Sequence, residues 1–178
     1  AGICSLTGAD ASVTNCYNKG DIIAKVDEGN LRIGGICGGG SGKIENCYNT
    51  GNISGEATSM LRIGGIIGNI YAGGSLSSCY TTGTVKGNQT TDTTIGMIIG
   101  RNNGGTIDNL YYKKIDDTPG IAAADTDENL GVDTDMAKTE EQMKQDSFVE
   151  LLNNGNEEIT WKKDASNVND GYPILLWQ

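Results

Sequence analysis

A repeat constrains this chain more than any other feature. Three stretches read Asn15-Cys16-Tyr17-Asn18, Asn46-Cys47-Tyr48-Asn49 and Ser78-Cys79-Tyr80-Thr81, and a weaker fourth reads Asn109-Leu110-Tyr111-Tyr112. The cysteine column, which ends in Leu110, has spacings of 31, 32 and 31 residues. A second landmark keeps step with it: Gly2-Ile3-Cys4, Gly35-Ile36-Cys37, Gly65-Ile66-Ile67 and Met97-Ile98-Ile99. Val13, Ile44, Leu76 and Ile107 stand three residues before the cysteine column, and Gly20, Gly51 and Gly83 four after it. Ile22, Ile53 and Val85 follow, and Leu31-Arg32-Ile33-Gly34 recurs as Leu61-Arg62-Ile63-Gly64.

A period near 31 residues could belong to a helical array or to a coil of strands. The copies are rich in Gly, Asn, Thr and β-branched residues, which are poor helix formers. Each copy contains three short apolar segments divided by Gly or Asn, which predicts three strands per turn of a parallel β-solenoid. Stacked strands lie about 4.8 Å apart, so each residue packs on its counterpart in the next turn. Isoleucine columns then fill the interior, and asparagines can hydrogen-bond from turn to turn. The variable stretches 25–29, 54–60 and 86–93 are expected to bulge as surface loops, where binding residues tend to sit. The fold class expected is mainly β, with solenoid turns over residues 1–115.

The pattern stops after Tyr112. Residues 116–135 carry seven acids and read as a solvated connection. Thr139-Glu140-Glu141-Gln142 and Ser147-Phe148-Val149-Glu150 each fit a capping box. They predict a helix over 139–153, interrupted near Asp146, with an apolar face of Met143, Phe148, Leu151 and Leu152 and a stop at Gly155. Residues 116–178 are expected to form an α/β cap over the end of the coil, because a solenoid end exposes unpaired strand edges. The chain enters mid-repeat at Ala1, so the polypeptide is expected to continue upstream and its first edge to be open to end-to-end pairing.

Residues 34–55, with Ile44-Glu45-Asn46-Cys47-Tyr48-Asn49-Thr50-Gly51-Asn52-Ile53, resemble the GLUG repeat of bacterial surface and secreted proteins, and residues 63–85 resemble it too. The tail Asn169-Asp170-Gly171-Tyr172-Pro173-Ile174-Leu175 is similar to the segment that closes such arrays. The fourth copy departs from the pattern, with Leu110 in place of Cys and Tyr112-Lys113-Lys114 in place of the Asn-Thr-Gly turn. The resemblance implies display outside a bacterial cell, an adhesin-like role and no catalytic residues.

The residues themselves point away from chemistry. The chain has no histidine, which removes Ser-His-Asp and Cys-His catalysis. Net charge is −10 with only three arginines, so nucleic acid is not an expected partner. No apolar run approaches membrane-spanning length. Cys4 and Cys37 share a column with Ile67 and Ile99, and Cys16, Cys47 and Cys79 share one with Leu110. Positions that accept Ile or Leu are buried apolar slots, so reduced, packed thiols are expected rather than disulfides or a metal site. Asp125-Thr126-Asp127-Glu128-Asn129 starts like a calcium loop but has Leu130 and Met136 where Gly and Glu belong. Arg32 and Arg62 stack as part of the repeated phrase. Glu45 and Asp108 share a column but are separated by Ser77, which argues against a carboxylate pair. Tyr48 and Tyr80 are the sugar-stacking candidates. The expected function is a non-catalytic surface module, without cofactor or metal, that presents loops to a host protein or glycan. The alternative is an accessory region of a secreted peptidase or of a carbohydrate-active β-helix enzyme.

Overall fold

The computed structural model describes residues 1–125, 136–154 and 158–178. The first turn holds β1 (Cys4–Thr7), β2 (Ser12–Thr14), β3 (Tyr17–Asn18), β4 (Ile22–Lys25) and β5 (Leu31–Gly34). The second holds β6 (Cys37–Gly40), β7 (Lys43–Glu45), β8 (Tyr48–Asn49), β9 (Ile53–Glu56) and β10 (Met60–Gly64). The third holds β11 (Ile67–Tyr71), β12 (Ser75–Thr81), β13 (Val85–Gly87) and β14 (Asp92–Gly96), and the fourth β15 (Ile99–Asn103) and β16 (Thr106–Lys113). All the pairings between these turns are parallel. The protein is therefore a parallel β-solenoid.

The columns read from sequence are the ladders of the structure. Cys37 pairs with Cys4 and Ile67, and Ile67 with Ile99. Val13, Ile44, Leu76 and Ile107 align, as do Ile22, Ile53 and Val85. Ile36, Ile66 and Ile98 are fully buried in one core. The expected asparagine ladder is present too: Asn18 Nδ2 donates to Asn49 Oδ1 at 2.8 Å, and Asn49 Nδ2 reaches Thr81 Oγ1 at 3.4 Å.

The expectation of three strands per turn is corrected to four sheet faces, formed by β1-β6-β11-β15, by β2/β3 through β16, by β4-β9-β13 and by β5-β10-β14. The extra face comes from the glycine phrase. A Cβ on Gly64 would lie 2.1 Å from Ile67 O and 2.6 Å from Ile98 O. The corner is thus too tight for any side chain, and the chain folds β10 sharply back toward β11. The expected loops are present at 26–29, 57–59 and 88–91, but they are short. Much of 54–60 and 86–93 is strand, and the residues between are tied across turns: Asn88 brackets Ala57 N–H and C=O at 3.0 and 2.8 Å.

One more column sets the shape. Asn15, Asn46, Ser78 and Asn109 all have φ near +50°, each just before the Cys/Leu position. Asn tolerates this left-handed conformation better than most residues, which accounts for its place in the repeat.

The segment after Tyr112 does not simply close the end. Met97, Ile98 and Ile99 donate backbone N–H bonds to Pro119 and Gly120, and Ile99 and Asn102 bridge to Ile121 and Ala124. The expected irregular connection thus begins as another partial turn, and the calcium-like stretch beyond Asp125 lies outside the described residues. β17 (Ala137–Lys138) then pairs with β16. Two helices follow, α1 (Glu140–Met143) and α2 (Asp146–Asn153), with β18 (Trp161–Lys162) antiparallel to β19 (Ile174–Leu175). The Thr139 capping box forms, whereas Ser147 is no cap: α2 starts at Asp146 behind Gln145. Met143, Phe148 and Leu152 are buried, but Leu151 is 39% exposed. The predicted stop at Gly155 lies outside the described residues.

These elements form a brace along the side of the coil rather than a lid on its end. They pack on the tyrosine column, whose rings stack at 5.0 Å (Tyr17–Tyr48) and 5.1 Å (Tyr48–Tyr80), inclined by 8° and 2°. Trp161 lies against both Tyr48 and Tyr80, Phe148 against Tyr80 and Tyr111, and Trp177 against Tyr17. The corner asparagines face the same seam. Trp161 Nε1 donates to Asn46 Oδ1 at 3.3 Å, and Asn109 Nδ2 donates to Leu151 O at the end of α2, at 2.9 Å.

All five cysteines are free thiols: Cys37, Cys47 and Cys79 are buried, and Cys4 and Cys16 are half-buried in the first turn. Burial, then the neighbouring Cys37, pushes the Cys4 thiol up to about 12. Its thiolate fraction at pH 8 is then about one in ten thousand. Thiol titration should give five equivalents in denaturant and almost none in the folded protein over minutes at pH 8. A separate expectation concerns the ladder. Tyr80→Ala opens a cavity under Trp161 and Phe148 and should cost about 3–5 kcal/mol in urea unfolding. Tyr80→Phe keeps the ring but leaves Asn169 Nδ2 and Pro173 O only their bond to each other, at 3.3 Å, and should cost about 1–3 kcal/mol.

Candidate functional site

With Tyr48 and Tyr80 fully buried beneath the brace, the sugar-stacking role expected of them is excluded. The Tyr80 hydroxyl donates to Pro173 O at 2.5 Å and accepts from Asn169 Nδ2 at 2.8 Å; the Tyr48 hydroxyl meets the Gln178 amide at 3.0 Å. Burial pushes both phenols above their ordinary range. They anchor the fold. The arginines are likewise structural or spoken for. Arg62 is 5% exposed and gives its guanidinium to the Asp92 carboxylate and to the Asp92 and Leu61 carbonyls. That hydrogen bond holds the Asp92 carboxyl below its usual range. Arg32 stacks beside Arg62 and remains exposed. Glu45 and Asp108 flank Ser77 two turns apart, and Glu45 is paired with Lys43 at 2.8 Å. Among the described residues no cluster of carboxylate and thiol groups could hold a metal ion.

The concave polar surface lies where one corner of the coil meets the brace. Thr50, Asn52, Thr82, Thr84 and Lys113 form its coil wall, and Asp170 and Tyr172 its brace wall, with Ile115 just beyond β16 and Lys19 at one end; it encloses about 450 Å³. Both walls follow from local sequence. The coil wall follows the glycine after each tyrosine: a Cβ on Gly83 would lie 2.1 Å from Gly51 O, so this corner is bare backbone framed by small polar side chains. Those side chains form a ladder. Asp21 Oδ1 accepts Asn52 N–H at 2.7 Å, and Asn52 Oδ1 accepts Thr84 N–H and Oγ1 at 3.0 and 2.8 Å.

The brace wall is the Asn169–Leu175 phrase. Asp170 and Gly171 have φ of 53° and 83°, which turns the chain so that Asp170 faces solvent and Tyr172 is buried against Lys144, 4.7 Å from its ring. Asp164 holds the turn. Its buried carboxylate accepts N–H bonds from Val168, Asn169 and Gly171 at 2.9, 2.6 and 3.1 Å. Desolvation raises its pKa, but the three N–H donors outweigh that and lower it overall. Lys19 Nζ reaches across from the coil to Val168 O. The cleft therefore offers hydroxyls, an amide, two ammonium groups and a carboxylate around a corner of buried glycine backbone. This is a hydrogen-bonding surface with nothing arranged as nucleophile and base. Sequence reading missed it because its two walls are about 60 to 120 residues apart; the nearest clue was the Asn169–Leu175 phrase itself.

A second surface is apolar. Ile159, Leu176 and Trp177 are 69%, 54% and 63% exposed at the first-turn end of the brace, beside Asn15 and Glu158.

Comparison with known proteins agrees with this architecture. Residues 29–54 match the family model of the GLUG motif. No curated protein sequence matches the chain. A crystal structure of a "putative immunoglobulin A1 protease" from Bacteroides ovatus is similar in fold, with a TM-score of 0.54 at 20% identity. The likeness covers 94% of this chain and 58% of that one, so this chain spans less than two thirds of its neighbour. Among the described residues no helix is long and apolar enough to cross a membrane.

The Asp164 carboxylate is stabilised in the folded state, so its contribution is present above the ordinary carboxylate pKa and lost as pH falls through the lower folded value. Brace docking should weaken below about pH 4. Asp164→Asn should cost about 1–3 kcal/mol at pH 7 and flatten that acid dependence in urea titrations followed by tryptophan emission.

Proposed function

We propose that this protein is a non-catalytic β-solenoid module of a secreted or surface-displayed bacterial protein, binding glycan at the cleft between coil and brace. The observation that carries the reading is the composition of that cleft: threonine and asparagine side chains beside a bare backbone corner, with Lys19, Lys113 and Asp170 around it. Sugar hydroxyls need donors and acceptors held at fixed positions, and stacked turns supply them on a rigid wall. The GLUG motif supports placement outside the cell. A non-catalytic role draws support from three facts. The sequence has no histidine, three of the five thiols are buried in the core of the coil, and Glu45 and Asp108 are separated by a whole turn.

The second reading is an accessory region of a secreted peptidase, favoured by the fold of the Bacteroides ovatus neighbour. In that reading the same cleft would orient a glycoprotein substrate for a catalytic part elsewhere.

The whole chain, labelled and applied to an array of glycans and extracellular-matrix proteins, should bind a restricted set of glycans. Thr50→Arg places a long cation in the cleft without removing a coil hydrogen bond. It should lower that binding at least tenfold at an unchanged melting temperature. Binding confined to proteins, or unaffected by Thr50→Arg, would mean that the cleft is not the site. Cleavage of a polysaccharide or of immunoglobulin A1 by this chain, lost in Glu45→Gln or Asp108→Asn, would show the module to be an enzyme.

A further inference from the structure

The first-turn face of the coil is built as an interior yet lies open. Cys4, Val13, Cys16, Ile22 and Leu31 belong to core columns but are only half-buried. The residues stacked on them in the second turn are at most 1% exposed. Ile3 is 45% exposed, while its counterpart Ile36 is fully buried. The brace continues level with this face. Trp161 occupies a complete seat, touching two successive rings of the ladder, Tyr48 at 6.0 Å and Tyr80 at 5.5 Å. Trp177 occupies half of one: it touches Tyr17 at 5.9 Å and is otherwise 63% exposed, with Leu176 and Ile159 beside it.

We propose that this face is built to seat one further turn of the same repeat in parallel register, with an aromatic ring over Tyr17 and against Trp177. The backbone already presents the junction. Gly2 and Ile3 donate N–H bonds to Gly35 O and Ile36 O, so Ala1 sits where Gly34 sits one turn later, at the exit of a strand equivalent to β5. Only a parallel turn offset by one repeat places ring on ring as in the two existing steps, 5.0 and 5.1 Å apart and inclined by at most 8°. A second copy related by a twofold axis would oppose the strands antiparallel and throw the tyrosine, asparagine and isoleucine columns out of register. Stacking of copies head to tail is also disfavoured. The far end of the coil is already paired with residues 119–125 and β17 of its own chain.

The test lengthens the full chain by one turn. A copy of residues 3–33, or in a second protein a copy of residues 34–63, is fused ahead of Ala1, so that Ala1 again follows an Ile-ended strand. The parent has one exposed and one buried tryptophan, and acrylamide should quench about half of its emission. In both extended proteins the quenchable fraction should fall toward zero and the melting temperature should rise. Replacing the tyrosine of the added turn by Ser should restore quenching of Trp177 while the other columns still stack. Hydrogen exchange should show slowed amides over residues 12–25. Two results overturn the proposal. One is both extensions leaving Trp177 as accessible as in the parent, or with their own amides exchanging freely. The other is the parent sedimenting as a concentration-dependent dimer with Trp177 shielded, which would assign the face to a second copy.

Discussion

The structure depends on one constraint: one corner in every turn of the coil must be left-handed, and an aromatic ring must follow it. Asn15, Asn46, Ser78 and Asn109 take φ near +50°, and the tyrosine two residues later points away from the isoleucine core. Repetition turns that local geometry into a column of parallel rings on the outside of the coil. An exposed tyrosine stack would be a large apolar stripe on an acidic, glycine-rich protein. The brace exists to cover it, and the corner residues Asn46 and Asn109 supply hydrogen bonds along the seam. Each aromatic pair contributes about 0.5–1.5 kcal/mol beyond the area it buries.

Repeat proteins are held mainly by contacts between neighbouring units, so they fray from their ends. Here the brace runs along the coil and touches each of the four tyrosines in turn: Trp177 on Tyr17, Trp161 on Tyr48 and Tyr80, Phe148 on Tyr80 and Tyr111. Loss of a turn therefore strips part of a shared aromatic core. A coil this short gains from that arrangement the cooperativity that it lacks by stacking alone.

How much of this could be read from sequence follows from range. The ladders are periodic, and periodicity in a solenoid is contact, so Cys4 on Cys37 or Ile44 on Leu76 could be named from spacing alone. The fourth face could not, because it arises from backbone crowding at Gly34, Gly64 and Gly96 rather than from another apolar segment. The expected loops shrank because strand pairing continues through non-identical residues: Ile23 faces Ser54, and Lys86 faces Ser54 on the other side. The placement of the brace was hidden for a different reason. Trp161 meets Tyr48 and Asn46 across more than 110 residues, with no local pattern to announce it. The available clue was a tyrosine repeated in every turn, too large for a slot in the narrow interior and therefore in need of cover.

The cleft inherits its character from the same constraint. Residues that follow the tyrosine column must return to the coil through a corner with no room for side chains, so Gly51 and Gly83 stack backbone on backbone and only small polar groups flank them. The brace, pinned to the tyrosines by Asn169 and the Pro173 carbonyl, then ends its Asp170–Gly171 turn opposite that corner. The cleft is thus the edge of the covered stripe, where aromatic packing gives way to small polar side chains. Its two walls are held by Asp164 on one side and on the other by the Asn52 side chain, which accepts from the Thr84 N–H and hydroxyl. The geometry of the cleft is fixed by the tyrosine stack behind it, and Lys113 adds a tie across it, pairing the fourth turn with Glu140 of the brace at 3.6 Å.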